Sequence, residues 1–453
     1  MKETTIAAIA TAPGEGGIAV IRVSGTEAIS VCDRVFRGKK ALADCPSHTL
    51  AYGHIVQNDT ILDEVLAGVM RAPRSYTGED VVEISCHGGS YIARSVLSAI
   101  LSSGAVLATR GEFTKRAFLN GKMDLSQAEA VIDLIQAESD AAVTLSVNQL
   151  KGRLSAPIEA IRQEILHLAA GLDVMADYPD EDVEETTTAE TETTLKELIL
   201  KLKDMQGEAE QGRLIREGIN TVIVGKPNVG KSSLLNSLSG TDRALVTQQA
   251  GTTRDVIEES VRLGELRLNL FDTAGIRNEA EAIEEMGIKK AKEYVERADL
   301  VLFVLDASKT FDAEDEAILE IVKNKNVIVV LNKSDLERTC RLTGVAAKLP
   351  QVVLSAKYSE GLSDLEEIVT ALFSLGKITQ RQDAAVINLR HKQAISEALS
   401  ALQNALATLG AGMPTDLLSV DLRIAIEALG TIDGQTVSEE IVDEIFSRFC
   451  LGK

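Results

Sequence analysis

Two hydrophobic periods take turns along this chain. From Thr4 to about Lys122 the apolar positions come in short β-branched runs. MKETTIAAIATAP holds a first strand, IAVIRVSG, DEVLAGVMRAP and DVVEISCHGG follow, and SYIARSVLSAILSSG switches to helical spacing. These runs predict a compact α+β unit. After LNGKMD the spacing is helical: Ala128, Val131, Ile132 and Ile135 recur on one face between Asp124 and Met175, and Ser126 with Glu129 reads as a capping box. DYPDEDVEETTTAETETT, residues 177–194, has no apolar period and reads as a solvated acidic loop. Helical spacing resumes at Leu195 and runs to about Glu217. From INTVIVGKPNVGKSSLLNSLSG onward strands alternate with helices through LRLNLFDTAG, DLVLFVLDAS, NVIVVLNKSD, QVVLSAK and SDLEEIVTALF, the pattern of a doubly wound parallel sheet. Arg381 to Phe449 is helical again, broken near GAGMPTD and IDGQT.

Helices on both sides of an α/β unit suggest an insertion, because domain termini lie close together. Leu125–Arg216 and Arg381–Lys453 are therefore expected to form one discontinuous all-α domain. The expected division is 1–122 (α+β), 123–216 (first helical part), 217–379 (α/β) and 380–453 (second helical part, with the Cys-Leu-Gly-Lys tail).

Composition changes this picture in three places. The 453 residues carry a formal net charge of −21, which argues against gripping nucleic acid through bulk electrostatics. Any RNA contact is then a local patch or is supplied by a partner. The 5 cysteines, Cys32, Cys45, Cys86, Cys340 and Cys450, are scattered without a CxxC pair, so neither a disulfide framework nor a zinc site is expected, and the compartment reads as reducing. Glu3 spoils a basic signal-peptide n-region, and no run approaches a membrane span.

GKPNVGKS, Gly225–Ser232, follows the strand TVIV and opens the helix SSLLNSL, as a P-loop requires. Gly225 and Gly230 let backbone N–H groups wrap phosphate, Lys231 reaches the β/γ-phosphates, and Ser232 offers a hydroxyl to Mg²⁺. NKSD (Asn332, Lys333, Ser334, Asp335) chooses the base: its aspartate accepts from both the guanine N1–H and the exocyclic amine, a donor pair adenine lacks. SAK (Ser355, Ala356, Lys357) supports the base through backbone N–H groups. GTTRD, Gly251–Asp255, reads as switch I, with Thr253 closing on Mg²⁺. In DTAG (Asp272, Thr273, Ala274, Gly275) the aspartate belongs to the Mg²⁺ shell and the Gly275 amide to the γ-phosphate. Ile276 stands where a Ras-like enzyme has the glutamine that orients the attacking water.

GKPNVGKS, GTTRD, DTAG, NKSD and SAK together resemble the translation-factor class of GTPases that includes Era-like and Der-like proteins. TATAPGEGGIAVIRVSG, SYTGEDVVEISCHGG, GEFTKRAFLNGKMDLSQAEA and the terminal FCLGK narrow the resemblance to the tRNA-modification GTPase family MnmE (TrmE), nearly end to end. For that family the resemblance implies a multidomain fold: an N-terminal α+β folate-binding-like domain, a discontinuous helical domain and an inserted α/β P-loop GTPase domain. It also implies a potassium-activated homodimer. Its K⁺ ligands fall on Asn228 and on Thr247, Gln249 and Thr252 of VTQQAGTT, all oxygen donors suited to a hard cation. Its nucleotide contacts extend over Val229 and Ser233 and over Gln248 and Ala250.

Glu284 matches the family's catalytic acid. The contacts to 5-formyl-tetrahydrofolate or a related folate match Arg22, Glu83, Lys122 and Lys453. The resemblance further implies a cytoplasmic complex with the flavoprotein MnmG (GidA) that builds an aminomethyl-type group at C5 of the tRNA wobble uridine. Cys450 reads either as a small buried hydrophobe or as a thiol that the tail delivers to the active site. Cys86 and His87 are neighbours on a strand and point to opposite faces, against a catalytic dyad. Two other readings remain: a GTP switch in ribosome assembly, and a folate-dependent transferase without a partner.

Overall fold

In the computed structural model, which describes residues 4–137, 139–177, 188–240, 257–264, 266–271, 294–373, 388–413 and 415–453, the strand-like runs before residue 122 pair into one sheet. The strands are β1 (Ile6–Ile9), β2 (Ile18–Ser24), β3 (Phe36–Gly38), β4 (Thr49–Gln57), β5 (Thr60–Met70), β6 (Val81–His87) and β7 (Val106–Leu107). Their order is β3-β4-β5-β6-β2-β1-β7, with only β1 and β7 parallel. Alternation fixes the buried face: Ile21 and Val23, Val65, Ala67 and Val69, and Val82, Ile84 and Cys86 share a core with the helices Ala28–Val35 and Ser90–Ser102.

This sheet belongs to the first of two compact units, Met1–Ile132, Gln149–Leu195 and Glu397–Lys453. Within it the helix Ser155–Asp177 packs on Thr415–Asp433 across more than two hundred residues of chain. Asp173 accepts from Ser419 Oγ at 2.7 Å and Arg423 Nη2 at 2.9 Å, while Arg162 donates to Gln435. The helical part is thus discontinuous in sequence. The last helix, Glu439–Ser447, seats Phe446, with Phe449 beyond its end, against Leu125 and Ala128. Gly111, at φ +67°, lies under them, where a Cβ would come 2.5 Å from the Phe446 carbonyl.

The second unit joins Asp133–Asn148 to Lys196–Ser396. Its sheet contains β8 (Ile219–Val224), β9 (Ile257–Leu263), β10 (Leu266–Phe271), β11 (Leu300–Asp306), β12 (Asn326–Asn332) and β13 (Gln351–Val353), ordered β13-β12-β11-β8-β10-β9. Period two again assigns the faces. Leu300, Leu302 and Val304 of β11 enter one core with Leu234, Leu238, Leu365 and Val369 from helices, and Val301, Phe303 and Leu305 enter another with Leu319 and Val322. Both faces are covered, so the strands read as continuous apolar runs.

Three local expectations change. The sheet is not wholly parallel, because IEESVRL forms an antiparallel edge strand, β9, against β10. Its charged residues hid it, and charge on an edge strand discourages further pairing. Helix Thr188–Glu217 begins within the expected acidic loop, where alanine and glutamates favour helix and Thr191 is buried. The capping box of helix Leu125–Gln136 is Asp124 with Gln127, not Ser126 with Glu129. Gln127 N donates to Asp124 Oδ1 at 2.8 Å and Asp124 N to Gln127 Oε1 at 2.9 Å, whereas Ser126 is buried inside the helix and accepts from Gln149 Nε2.

Candidate functional site

The P-loop turns from the end of β8 into the helix Lys231–Gly240. Its glycines are dictated by close neighbours. Gly225, at φ +146°, lies where a Cβ would meet the Val304 carbonyl at 2.2 Å, and at Gly230, φ +101°, a Cβ would meet Asn332 Nδ2 at 2.1 Å. Asn228 takes the left-handed conformation at φ +63°, which asparagine tolerates better than most residues. Val229 is buried, and Ser232 and Ser233 are exposed in the first helical turn. The Lys231 ammonium donates to the carbonyls of Gly225 at 2.6 Å and Lys226 at 2.8 Å, and burial pushes its pKa down.

Asn332 ties this loop to the base-recognition segments. Its side chain donates from Nδ2 to the Val229 carbonyl at 2.9 Å and accepts at Oδ1 from the Ala356 amide at 3.0 Å. NKSD and SAK therefore meet the P-loop at one point. Ser355 Oγ donates to Asp335 Oδ1 at 2.8 Å and fixes that exposed carboxylate, and the Ser334 amide donates to the Leu354 carbonyl at 3.1 Å. Lys333 Nζ bridges the Asn228 carbonyl at 2.8 Å and Asp306 Oδ2 at 2.7 Å. Burial alone would raise the Asp306 carboxyl, but Lys333 and Ser308 outweigh it and hold its pKa below the ordinary value. Lys357 is exposed, with Nζ 4.8 Å from the Tyr358 ring centre. Asp306 and Lys226 are partners that the motif reading missed. The signal for Asp306 was its place at the end of β11, in register with Asn332.

Thr247, Gln248, Gln249, Ala250, Gly251, Thr252, Thr253, Asp272, Thr273, Ala274, Gly275, Ile276 and Glu284 lie outside the described residues.

In the first unit, Arg22 and Glu83 are cross-strand partners on β2 and β6, with Arg22 Nε donating to Glu83 Oε1 at 2.8 Å. The Arg22 guanidinium lies 5.2 Å from the Tyr76 ring centre and 5.7 Å from that of Phe113, and it donates to the Gly452 carbonyl at 3.4 Å. Phe113 N also donates to the Lys453 carbonyl at 3.3 Å, so the tail is seated beside the pair. Lys122 is exposed and donates to the Pro73 carbonyl at 3.1 Å, at the start of the loop that carries Tyr76. Cys450 is exposed, against the buried reading, whereas Cys32, Cys45, Cys86 and Cys340 are buried. His87 is exposed and pairs through Nδ1 with Asp63 Oδ1 at 2.7 Å, while Cys86 faces the core.

A mixed α/β sheet with a P-loop stapled to an NKSD–SAK base site defines a P-loop GTPase. Two family models match the chain: "GTP-binding protein TrmE N-terminus" over residues 5–122 and "MnmE helical domain" over residues 125–450. The tRNA modification GTPase MnmE of Clostridioides difficile (strain 630) is 46% identical over 456 residues, covering 100% of this chain and 99% of that protein. The protein of that name from Acetivibrio thermocellus is 44% identical, covering 100% of both, and the one from Geobacillus kaustophilus (strain HTA426) is 46% identical, covering 99% of both. The chain belongs to the MnmE family of tRNA modification GTPases.

Proposed function

We propose that this protein is a potassium-activated GTPase acting in tRNA modification. With a flavoprotein partner of the MnmG (GidA) type, it forms the 5-carboxymethylaminomethyl or aminomethyl group at C5 of the wobble uridine. The observation that carries the nucleotide half is the Asn332 bridge, which brings phosphate loop and base segments together while Ser355 orients Asp335. Guanine's paired donors find their acceptor there, and Lys231 exchanges its loop carbonyls for the β/γ-phosphates of GTP.

Ser232, Thr253 and Asp272 form an all-oxygen donor set suited to Mg²⁺. For K⁺ the donors are Asn228, Thr247, Gln249 and Thr252, and the ion supplies positive charge against the β/γ-phosphates. Asn228 would offer its side-chain oxygen, its carbonyl accepting from Lys333. Glu284 polarises the attacking water in place of the glutamine absent at Ile276.

Folate fits the first unit's donors: Glu83 has one oxygen on Arg22 and its side chain is 34% exposed, leaving acceptor capacity for pterin N–H groups. Lys122 and Lys453 suit the glutamate tail, and the folate supplies the carbon. The exposed Cys450 thiol is the nucleophile or proton donor closest in sequence to Lys453. A cytoplasmic homodimer completes the reading, and a net charge of −21 leaves most of the tRNA-binding surface to the partner. Among the described residues no helix is long and apolar enough to cross a membrane.

The test is nucleoside analysis of tRNA incubated with the protein, the flavoprotein, GTP, folate and K⁺. Modified uridine is expected from wild type. Glu284→Ala should lower GTP turnover by ~10- to 10³-fold with GTP affinity nearly intact, and Na⁺ in place of K⁺ should lower turnover severalfold. Unmodified uridine despite K⁺-dependent turnover would favour a regulatory GTP switch.

A further inference from the structure

The other lysine of the P-loop, Lys226, is held by an arrangement the hydrolysis motifs leave unexplained. Lys226, directly after Gly225, places its ammonium against Asp312 Oδ2 at 2.7 Å and Asp315 Oδ2 at 2.8 Å. Those carboxylates are fixed by the start of the helix Ala313–Val322. Asp312 caps it, accepting from the amides of Glu314 at 3.0 Å and Asp315 at 3.3 Å, and Asp315 Oδ2 accepts in return from the Asp312 amide at 3.2 Å. Asp315 is nearly inaccessible, its side chain 3% exposed, and its buried Oδ1 has no hydrogen-bond partner among the described residues. A carboxylate so placed costs stability unless a cation stays against it, and Lys226 is the cation that contacts it. The pair lines a cavity of about 270 Å³, whose wall also includes Pro227 and Val229 of the P-loop.

The same residue's backbone faces the chemistry. Its carbonyl and that of Gly225 are the two acceptors of the Lys231 ammonium. We propose that Lys226 is a positioning residue: its clamp onto Asp312 and Asp315 fixes the 225–226 backbone, and with it the two carbonyls that hold the Lys231 ammonium until phosphate displaces them and the loop amides that receive the phosphate. Asp312 and Asp315 act through Lys226. This inference rests on the nucleotide-binding reading above.

A positioning role makes a distinct prediction. A loop that is competent only part of the time lowers apparent affinity by the competent fraction, whereas a merely structural defect removes active molecules and lowers apparent turnover at constant KM. Lys226→Met should therefore weaken GDP binding, read with a fluorescent GDP analogue, and raise KM for GTP, each by about tenfold, with kcat changed less than about twofold. Lys226→Arg, which keeps the cation and can fork to both carboxylates, should recover most of the loss. Asp315→Asn, close to isosteric, should shift both quantities in the same direction and serves if Lys226→Met does not fold. Unchanged GDP affinity in a folded Lys226→Met or Asp315→Asn protein overturns the inference, as does lower kcat at constant KM. GDP binding is read without hydrolysis, so a wild type that binds GDP but fails to turn over GTP sinks the GTPase reading and leaves the clamp tested.

Discussion

At the scale of single residues, Asn332 shows how one side chain can organise a site. It is 2% exposed, its amide nitrogen lies where any side chain at Gly230 would collide, and both its polar atoms are engaged by backbone groups. Asn332→Ala leaves the Val229 carbonyl and the Ala356 amide unpaired in the interior, at ~1–3 kcal/mol for each orphaned group. The expected result is a lower melting temperature together with at least tenfold weaker GDP binding, measured by thermal unfolding and by titration of a fluorescent analogue; wild-type affinity would mean that the bridge does not organise the site. This residue's importance was legible in the sequence, because NKSD fixes its chemistry and its place after a buried strand. Asp306 and Lys226 were not legible in the same way. Each acts through a partner that only the fold brings near, Lys333 across two strand ends and Asp315 across the P-loop, and neither partner leaves a local period to read.

At the scale of elements, the helical and strand periods located most of the fold, and the errors fell where polar residues do structural work. The run of glutamates and threonines that hid the start of the helix Thr188–Glu217 and the charged edge strand Ile257–Leu263 are two such places. The end of the helix Thr415–Asp433, by contrast, falls at the expected break in IDGQT, where Asp433 is 8% exposed and burial raises its carboxyl pKa, although Gln435 donates to both its oxygens. A carboxyl whose pKa is higher folded than unfolded binds its proton more tightly in the native state. Stability is therefore lost as pH rises through the window between its unfolded value of 3.8 and the raised folded value. The negative end of the helix dipole opposes the same charge. Asp433→Asn keeps an acceptor for Gln435 and removes the titration. Its melting temperature should match wild type in acid below that window and exceed it at neutral pH; a difference independent of pH would assign the effect to packing.

At the scale of the whole molecule, the sequence announces an insertion, and what it leaves open is where the inserted unit begins. The change of hydrophobic period places the start at residue 217, immediately before β8. Yet Leu214 and Ile215, at the end of the preceding helix, are 4% and 9% exposed and share a core with Ile219, Ile223 and Leu268 of the sheet. Periodicity cannot reveal this, because a long helix presents the same repeat whichever core receives its last turn, and the Thr188–Glu217 helix passes from one compact unit to the other. Burying a leucine and an isoleucine contributes ~1.5–3 kcal/mol each, and in a unit of this size 1 kcal/mol moves the midpoint by ~2–4 °C. A fragment spanning 196–396 should therefore melt on the order of 10 °C above one spanning 217–379, while both bind GDP, since the P-loop, NKSD and SAK lie within each. Thermal unfolding of the two fragments with and without GDP decides the point. Equal midpoints would place the boundary at 217 and make the last helical turn a linker; a large gap would make that turn part of the nucleotide-binding unit, its leucine and isoleucine belonging to the core under β8.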